Sequence, residues 1–236
     1  MSGTLYLIPV PLGTDTLASV IPADVLATAQ RLTHFIVEAP KTARAFLKEF
    51  GTPHELRSLW MEELNEHTKE DALSALLKPL LDGHDVGLMS EAGCPGVADP
   101  GANLIRLAHR KGIKVAPLVG PSSILLALMG AGANGQKFRF NGYIPAQDPA
   151  RLEAIRTLEN DSYRNKQAEL FIETPYRNGA LFDALLLGLK GSTQLTVACD
   201  LTTTNEFIVS KTAADWKSGA KPDLHKRPTV FVIYAA

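Results

Sequence analysis

The chain has 236 residues, 45% of them hydrophobic and 21% charged, which excludes a disordered protein and predicts one large or two small compact domains. Its formal net charge of -1 excludes an overall basic field that would draw it to nucleic acid or to an anionic membrane. Any contact with RNA must therefore come from a local patch. The two cysteines, Cys94 and Cys199, have no metal-ligand spacing and predict reduced thiols in the cytoplasm.

In the first half of the chain, short apolar runs rich in β-branched residues alternate with amphipathic segments. This alternation is typical of parallel strands joined by crossover helices. The predicted strands are residues 5–10, 34–38, 55–60, 85–89 and 114–118, and the predicted helices are residues 22–31, 42–50, 68–81 and 102–111. These elements predict an N-terminal α/β domain, residues 1–119, with a mainly parallel sheet flanked by helices.

The second half begins within an uncharged stretch, residues 115–136, that prolines and glycines interrupt, so no membrane span is expected. Three late strands follow one another with little helix between them, which predicts a mixed sheet. The predicted strands are residues 138–144, 169–173, 194–200, 205–210 and 229–235, and the predicted helices are residues 122–130, 149–158 and 178–189. We therefore expect a second α/β domain over residues 120–236.

Residues 90–101, SEAGCPGVADPG, directly follow a predicted strand. Ligands of open α/β sheets bind outside the carboxyl ends of strands, and glycines there let the backbone approach a ligand while prolines stiffen the loop. Glu91 is a candidate ligand contact, whereas Asp99, followed by proline, fits a helix N-cap better than a direct ligand contact. Cys94 is expected to fill space rather than to act as a nucleophile, because no histidine lies near it in sequence.

Two further strand ends carry a carboxylate before a proline, in FIVEAPK and LFIETPYR. Proline ends the strand and opens a helix, which leaves Glu38 and Glu173 at the carboxyl edge of a sheet and predicts that they face a common crevice. The alternative is that each carboxylate binds nearby backbone amides or a neighbouring arginine. The turn at Pro11 resembles a ligand turn too, but on its own it fits a plain connection better.

Several other chemistries have no motif in this sequence. Residues 130–135 match Gly-x-Gly-x-x-Gly, but they follow a predicted helix and precede a strand, the reverse of a dinucleotide site. No Walker A run, nucleophile elbow or metal-spaced histidine cluster occurs, so we expect no metal. Lys226 belongs to a late basic cluster that fits a solvated face or a contact with phosphates.

Six segments in order resemble the motif series of the tetrapyrrole methylase superfamily, the class III S-adenosylmethionine-dependent methyltransferases: LIPVPLG, SEAGCPGVADPG, LVGPSSILLALMGAG, FNGYIP, FIETPYR and KRPTVFVIYA. Within it, the chain is most similar to the bacterial branch that 2'-O-methylates a cytidine of small-subunit ribosomal RNA. The resemblance implies a two-domain α/β enzyme, usually a homodimer, with S-adenosylmethionine in a cleft between the domains. The implied cofactor contacts are Pro11, Ser90, Glu91, Gly93, Val97, Asp99, Ser122 and Ser123, with Pro228 and Thr229 closing the cleft.

The chain also departs from that branch. Thr14 stands where the branch usually has asparagine, residues 38–41 replace a Glu-Asp-Thr-Arg run, and residues 199–203 replace an Arg-Glu-Leu-Thr-Lys run. The sequence ends shortly after its last predicted strand, where members of the branch continue into a helical region. Three functions therefore stay open: the ribosomal RNA methylase, a methylase of a tetrapyrrole-like small molecule, and a non-catalytic S-adenosylmethionine-binding regulator.

We predict the first of these functions, the 2'-O-methylation of a ribose in small-subunit ribosomal RNA. A ribose hydroxyl is a poor nucleophile at neutral pH, so a carboxylate that accepts its proton or orients it would help. The candidate carboxylates are Glu91, Glu38 and Glu173, and the candidate partners of substrate phosphates are Lys41, Arg177 and Lys226.

Overall fold

The computed structural model describes residues 2–13, 16–65 and 68–235. The chain forms two compact units, Met1–Ser122 and Ser123–Ala236, and contains two five-stranded sheets. The predicted α/β class, with a parallel first sheet and a mixed second sheet, is confirmed. Thr14, where the sequence departs from the ribosomal RNA branch, lies outside the described residues.

The first unit carries a parallel sheet in the order β3-β2-β4-β1-β5. Its strands are β1 (Thr4–Leu7), β2 (His34–Val37), β3 (Trp60–Glu63), β4 (Val86–Met89) and β5 (Lys114–Pro117). The helices are α1 (Leu17–Val20), α2 (Ala23–Arg31), α3 (Pro40–Glu49), α4 (Glu70–Leu76), α5 (Lys78–Leu81) and α6 (Ala102–Arg110). Because β4 lies between β2 and β1, the loops that follow these three strands leave the sheet side by side.

Both faces of the first sheet are buried, which explains the nearly continuous apolar runs of its strands. Phe35 and Val37 of β2 pack on one face with Leu47 of α3, and Ile36 packs on the other face with Leu104 of α6. The alternation follows from the two-residue period of a strand. Two apolar clusters thus hold the strand ends in fixed positions.

Two predictions in this unit were wrong. The strand expected at residues 55–60 lies at Trp60–Glu63, because residues 56–58 form a turn and pairing with β2 begins at Trp60. The helix expected at residues 68–81 is divided into α4 and α5, and Pro79 in the first turn of α5 cannot supply a backbone N–H. The strand Trp60–Glu63 lies at the edge of the sheet and ends in two glutamates, so its sequence lacks the apolar pattern that predicts a buried strand.

The second unit carries the mixed sheet in the order β6-β7-β10-β8-β9, in which only β6 and β7 run parallel. Its strands are β6 (Phe138–Tyr143), β7 (Ala168–Ile172), β8 (Gln194–Cys199), β9 (Phe207–Thr212) and β10 (Thr229–Tyr234). The helices are α7 (Ser123–Ala131), α8 (Ala150–Asn165), α9 (Asn178–Gly188) and α10 (Ala213–Ser218). Helix α10 was not predicted, and α8 extends beyond its predicted end at residue 158.

The core of the second unit is aromatic where the helices cover the sheet. The rings of Phe171 and Phe231 stack with centroids 5.9 Å apart, and Trp216 donates its indole N–H to the Leu195 carbonyl at 2.8 Å. The buried Glu159 carboxylate accepts hydrogen bonds from the Lys190 backbone amide, at 2.8 Å, and from the hydroxyl of Thr193. Every described helix falls short of the length and apolarity needed to span a membrane.

Candidate functional site

Three turns meet at the carboxyl edge of the first sheet, after β1, β4 and β5. Val10 and Gly93 exchange two backbone hydrogen bonds, 2.9 and 3.2 Å long, which join the first turn to residues 90–101, hereafter the glycine loop. The Cys94 thiol donates to the Pro121 carbonyl at 3.3 Å, which joins the glycine loop to the turn after β5. Burial, and then the charge of Asp99, raises the pKa of Cys94, so this thiol is a packing group rather than a nucleophile.

The glycine loop needs glycine where it approaches its neighbours most closely. Gly93 has a φ of +71°, and a Cβ atom there would lie 3.2 Å from Leu12 Cδ2 and 3.4 Å from the Pro121 carbonyl oxygen. Gly120 approaches Pro9 so closely that a Cβ would lie 2.3 Å from the proline side chain. The sequence pattern of glycines therefore has a steric cause: it lets three backbones come together.

Asp99 holds the glycine loop closed. Its Oδ1 accepts the backbone amides of Gly96 and Gly101, each at 2.7 Å. Burial raises the pKa of Asp99, and the hydrogen bonds from these two amides offset the rise only in part. The predicted helix cap was wrong, because α6 begins at Ala102 with Gly101 at the N-cap position and makes no side-chain cap bond.

A small recess lies beside Asp99, between the end of β4 and the glycine loop. Its lining residues are Glu38, Leu64, Leu88, Met89, Ser90, Asp99, Pro100 and Gly101. Ser90 is buried and donates its hydroxyl to the Ala92 carbonyl at 3.2 Å, whereas Val97 is an exposed apolar side chain on the same loop. The predicted cofactor residues of this loop thus include both polar groups in a recess and an apolar group at the surface.

Two of the three candidate carboxylates lie side by side at this edge. Glu38 Oε2 accepts the backbone amide of Glu91 at 3.0 Å, and Glu91 Oε1 accepts the Thr42 hydroxyl at 3.2 Å. Glu38 directly follows β2 and Glu91 follows β4, so adjacent parallel strands bring them together from 53 residues apart. Lys41, a predicted phosphate partner, is exposed in the first turn of α3 next to Thr42.

The third carboxylate, Glu173, belongs to the second unit and has different surroundings. It is buried, and its Oε1 accepts the Thr174 amide at 2.6 Å and the Arg177 guanidinium at 2.7 Å. Burial raises the pKa of Glu173, but the hydrogen bonds from Arg177 and Thr174 outweigh it, so the pKa is lowered. A base is most effective with a pKa near the working pH, so Glu173 is better suited to anchoring Arg177. A crevice shared with Glu38 stays a prediction.

The residues before β10 are held in place by Arg227. Arg227 Nε donates to Asp200 Oδ2 at 2.6 Å, and its two terminal nitrogens donate to the carbonyls of Asp223 and Asn205. The Asp200 amide in turn donates to the Pro228 carbonyl at 2.9 Å. Asp200, in the run at residues 199–203 that departs from the ribosomal RNA branch, therefore helps to position Pro228 and Thr229.

The remaining predicted contacts lie at the boundary of the two units in the chain and just before or at the start of β10. Ser122 ends the first unit, and Ser123 begins α7 in the second. Lys226 and Pro228 are exposed and Thr229 is buried, donating its hydroxyl to the Arg227 carbonyl at 3.0 Å. Within the described ranges, no group of three or more histidine, cysteine, aspartate or glutamate residues could hold a metal ion.

Comparison with known proteins agrees with this architecture. The family model of Tetrapyrrole (Corrin/Porphyrin) Methylases matches residues 4–216. The chain is 32% identical over 238 residues to the Ribosomal RNA small subunit methyltransferase I of Neisseria meningitidis serogroup B, covering 100% of this chain and 77% of that relative. It is 28% identical over 231 residues to the protein of the same name from Escherichia coli O157:H7, covering 98% and 77%.

Solved structures show the same fold at low identity. The methyltransferase CobJ superposes with a TM-score of 0.66 at 20% identity, covering 100% of this chain and 95% of that structure. A conserved hypothetical protein from Aeropyrum pernix K1 superposes with a TM-score of 0.70 at 13% identity, covering 100% and 85%. The two-sheet architecture is thus shared with known proteins over the whole chain.

Proposed function

Because the chain belongs to the tetrapyrrole (corrin/porphyrin) methylase family and is therefore a methyltransferase, we propose that it 2'-O-methylates a ribose of small-subunit ribosomal RNA with S-adenosylmethionine. The observation that most supports the proposal is the convergence of three glycine- and proline-rich turns at one sheet edge beside two carboxylates. The names of relatives 28% and 32% identical over nearly the whole chain support the ribosomal substrate. In this proposal the enzyme works in the cytoplasm as a homodimer.

The residues at this edge fit S-adenosylmethionine. Bound there, the cofactor supplies the methyl group on a positively charged sulfonium, and carboxylates nearby favour positive charge. Gly93, where a Cβ would lie 3.2 Å from Leu12 Cδ2 and 3.4 Å from the Pro121 carbonyl oxygen, lets the three turns come together around the proposed site. The proposed contacts are Pro11, Ser90, Glu91, Gly93, Val97, Asp99, Ser122, Ser123, Pro228 and Thr229.

The two neighbouring carboxylates have different proposed roles. Glu91 is exposed and bound at one oxygen by a single hydroxyl, so it can accept the proton of a ribose hydroxyl or orient it. Glu38 holds the Glu91 backbone amide and positions that residue. Lys41, exposed in the first turn of α3, is the proposed partner of an RNA phosphate. Alignment of the reacting groups can supply several kcal/mol, about 7–11 in the best cases, so their positions matter as much as their charge.

The test is transfer of labelled methyl from S-adenosylmethionine to small ribosomal subunits purified from cells that lack the protein. Digestion of the RNA should recover the label in a 2'-O-methylated nucleoside. Binding of the cofactor without label in RNA would contradict the proposal and favour a small-molecule acceptor. Binding without turnover on any acceptor would instead favour a regulator.

Substitution of the proposed base sharpens this test. Glu91→Gln should lower kcat by about 100-fold, since general bases contribute roughly 10²–10⁴-fold. Glu153→Gln is the matched control, because Glu153 is an exposed glutamate on α8. Equal rates for the two variants would remove Glu91 from the chemistry.

A further inference from the structure

In the second unit, exposed aromatic and basic side chains gather where α9 begins. The Tyr176 side chain is 71% exposed, and Lys226 Nζ lies 5.8 Å from the centroid of its ring. His225 packs edge-on to the same ring, with centroids 6.1 Å apart and an interplanar angle of 80°. The ring is therefore supported from two neighbouring residues while most of its surface stays open to solvent.

The backbone that carries this lysine is strained. Lys226 has a φ of +61°, a left-handed conformation that costs a residue with a Cβ about 1–2 kcal/mol. Its amide donates to the Pro175 carbonyl at 3.1 Å, and Arg227 next to it is fixed by three hydrogen bonds. The strained conformation keeps the lysine chain over Tyr176, and such strain concentrates at functional sites.

Two more exposed side chains extend the cluster. Tyr143 is 62% exposed and is paired with Ile172 across β6 and β7, so it lies next to the start of the Glu173–Arg177 segment. The hydrogen bond to Glu173 raises the pKa of Arg177, and the Tyr143 phenol contributes in the same direction. A guanidinium is charged at every working pH, so Arg177 adds a permanent cation next to Tyr176 in the chain.

We propose that Tyr176 stacks an unpaired nucleobase of the RNA substrate and that Lys226 and Arg177 bind the phosphates beside it. This inference rests on the proposed function and names the surface by which the substrate is held. Single-stranded nucleic acid is bound by aromatic rings that stack on bases and by cations that follow the backbone. The cluster also supplies the local basic patch that a chain with a net charge of -1 needs to bind RNA.

The charges around the cluster agree with a phosphate ligand. Within the described part of the chain, no carboxylate lies within ion-pair distance of Lys226, and the side chain of Arg177 is 51% exposed although its Nη2 binds Glu173. Asp200, the nearest carboxylate to Arg227, is engaged by that arginine at 2.6 Å. An incoming phosphate would therefore meet two exposed cations. Of the carboxylates near them, Glu173 and Asp200 are paired with arginines, and Asp223 accepts the His225 backbone amide at 3.1 Å.

The experiment measures the affinity of the full chain and its variants for a fluorescent single-stranded RNA of twelve nucleotides by anisotropy. Tyr176→Leu should weaken binding by roughly tenfold, within the 1–3 kcal/mol of a stacked base, while Tyr176→Phe keeps the ring and the affinity. Lys226→Gln should weaken binding and reduce the slope of log affinity against log salt by about 0.7.

The chain contains a matched control for this pair. Lys190 Nζ lies 6.0 Å from the ring of Tyr163, which is 62% exposed, so the residue types are the same and the lysine–ring distance is similar. The two pairs lie at opposite ends of α9, which is about 16 Å long. Lys190 follows the C-terminal end of this helix, and Tyr176 precedes its N-terminal end. Tyr163→Leu and Lys190→Gln should leave RNA affinity unchanged.

The outcomes separate this inference from the proposed function. Ribosomal RNA methylation by the native chain, with equal RNA affinity in Tyr176→Leu and Tyr163→Leu, would overturn the stacking surface and leave the function standing. Loss of S-adenosylmethionine affinity in Tyr176→Leu, with RNA affinity retained, would also overturn it, because the ring would then serve the cofactor. A native chain that neither binds RNA nor methylates small subunits would overturn both.

Discussion

Replacing Gly93 by alanine tests whether the three joined turns hold the cofactor, because this glycine contacts both of the other turns. The new Cβ would lie 3.2 Å from Leu12 Cδ2, so the Leu12 side chain must shift by a few tenths of an ångström, and 3.4 Å from the Pro121 carbonyl oxygen, which brings it into contact with the turn after β5. Both turns carry proposed cofactor contacts. We therefore expect the affinity for S-adenosylmethionine to fall by roughly tenfold, equivalent to about 1.4 kcal/mol.

The same substitution also has a cost that is unrelated to the site. At a φ of +71°, an alanine costs about 1–2 kcal/mol in backbone strain. In a chain of this size, that loss lowers the melting temperature by about 2–8 °C. A weakened affinity could then reflect general destabilisation, so a control with the same strain is needed.

Gly112 provides that control. Its φ is +67° and a Cβ there would meet nothing within 4 Å, in the turn that leads into β5 at the opposite edge of the sheet. Gly112→Ala should therefore lower the melting temperature by a similar amount and leave cofactor affinity, measured by calorimetry, unchanged. An equal affinity in the two variants would refute the placement of the cofactor at these turns.

Three other predictions concern stability. His34 stacks on His84 at 4.5 Å, and burial, then the charge of His84, lowers the pKa of His34. The unfolded chain therefore takes up the proton at a higher pH than the folded chain does. The stability that neutral His34 contributes is present above pH about 6.5 and is lost as the pH falls below it. His34→Gln should therefore make the urea midpoint depend less on pH between pH 7 and 5. Glu159→Ala leaves an amide and a hydroxyl without their acceptor and should cost about 2 kcal/mol or more in the free energy of unfolding, with methyl transfer unchanged; a loss below about 0.5 kcal/mol in urea titrations would contradict this. Arg227→Lys loses the fork that binds Asp200 and two carbonyls, so it should lower the melting temperature, whereas an unchanged melting curve would show that a point charge suffices.

The sequence predicted the fold well where a segment had one clear hydrophobic pattern. Buried strands such as Val86–Met89 are apolar throughout, and their glycine- and proline-rich continuations mark the carboxyl edge of the sheet. Trp60–Glu63 was misplaced because it is an edge strand whose last two residues are exposed glutamates. Its position is set by pairing with β2, which is a tertiary effect that local pattern does not contain.

The glycine loop shows the same limit at the level of single residues. Its role as a ligand turn could be predicted from composition, since few other constraints demand so many glycines and prolines. The position of Asp99 before a proline indicated a cap, but the structure uses its carboxylate to close the loop on Gly96 and Gly101. Both uses place a short acceptor beside free amides, so the dipeptide alone cannot distinguish them.

The candidate carboxylates show why roles are harder to predict than positions. Glu38 and Glu173 stand in the same local pattern, a strand end before a proline, yet Glu38 binds a backbone amide contributed from 53 residues away and Glu173 binds an arginine four residues on. The second partner lies within the motif and could be predicted from it, while the first depends on β2 and β4 being neighbours in the sheet. Since a carboxylate's pKa and reach follow from its partners, the division of labour between Glu91 and Glu38 becomes visible only once strand order is known.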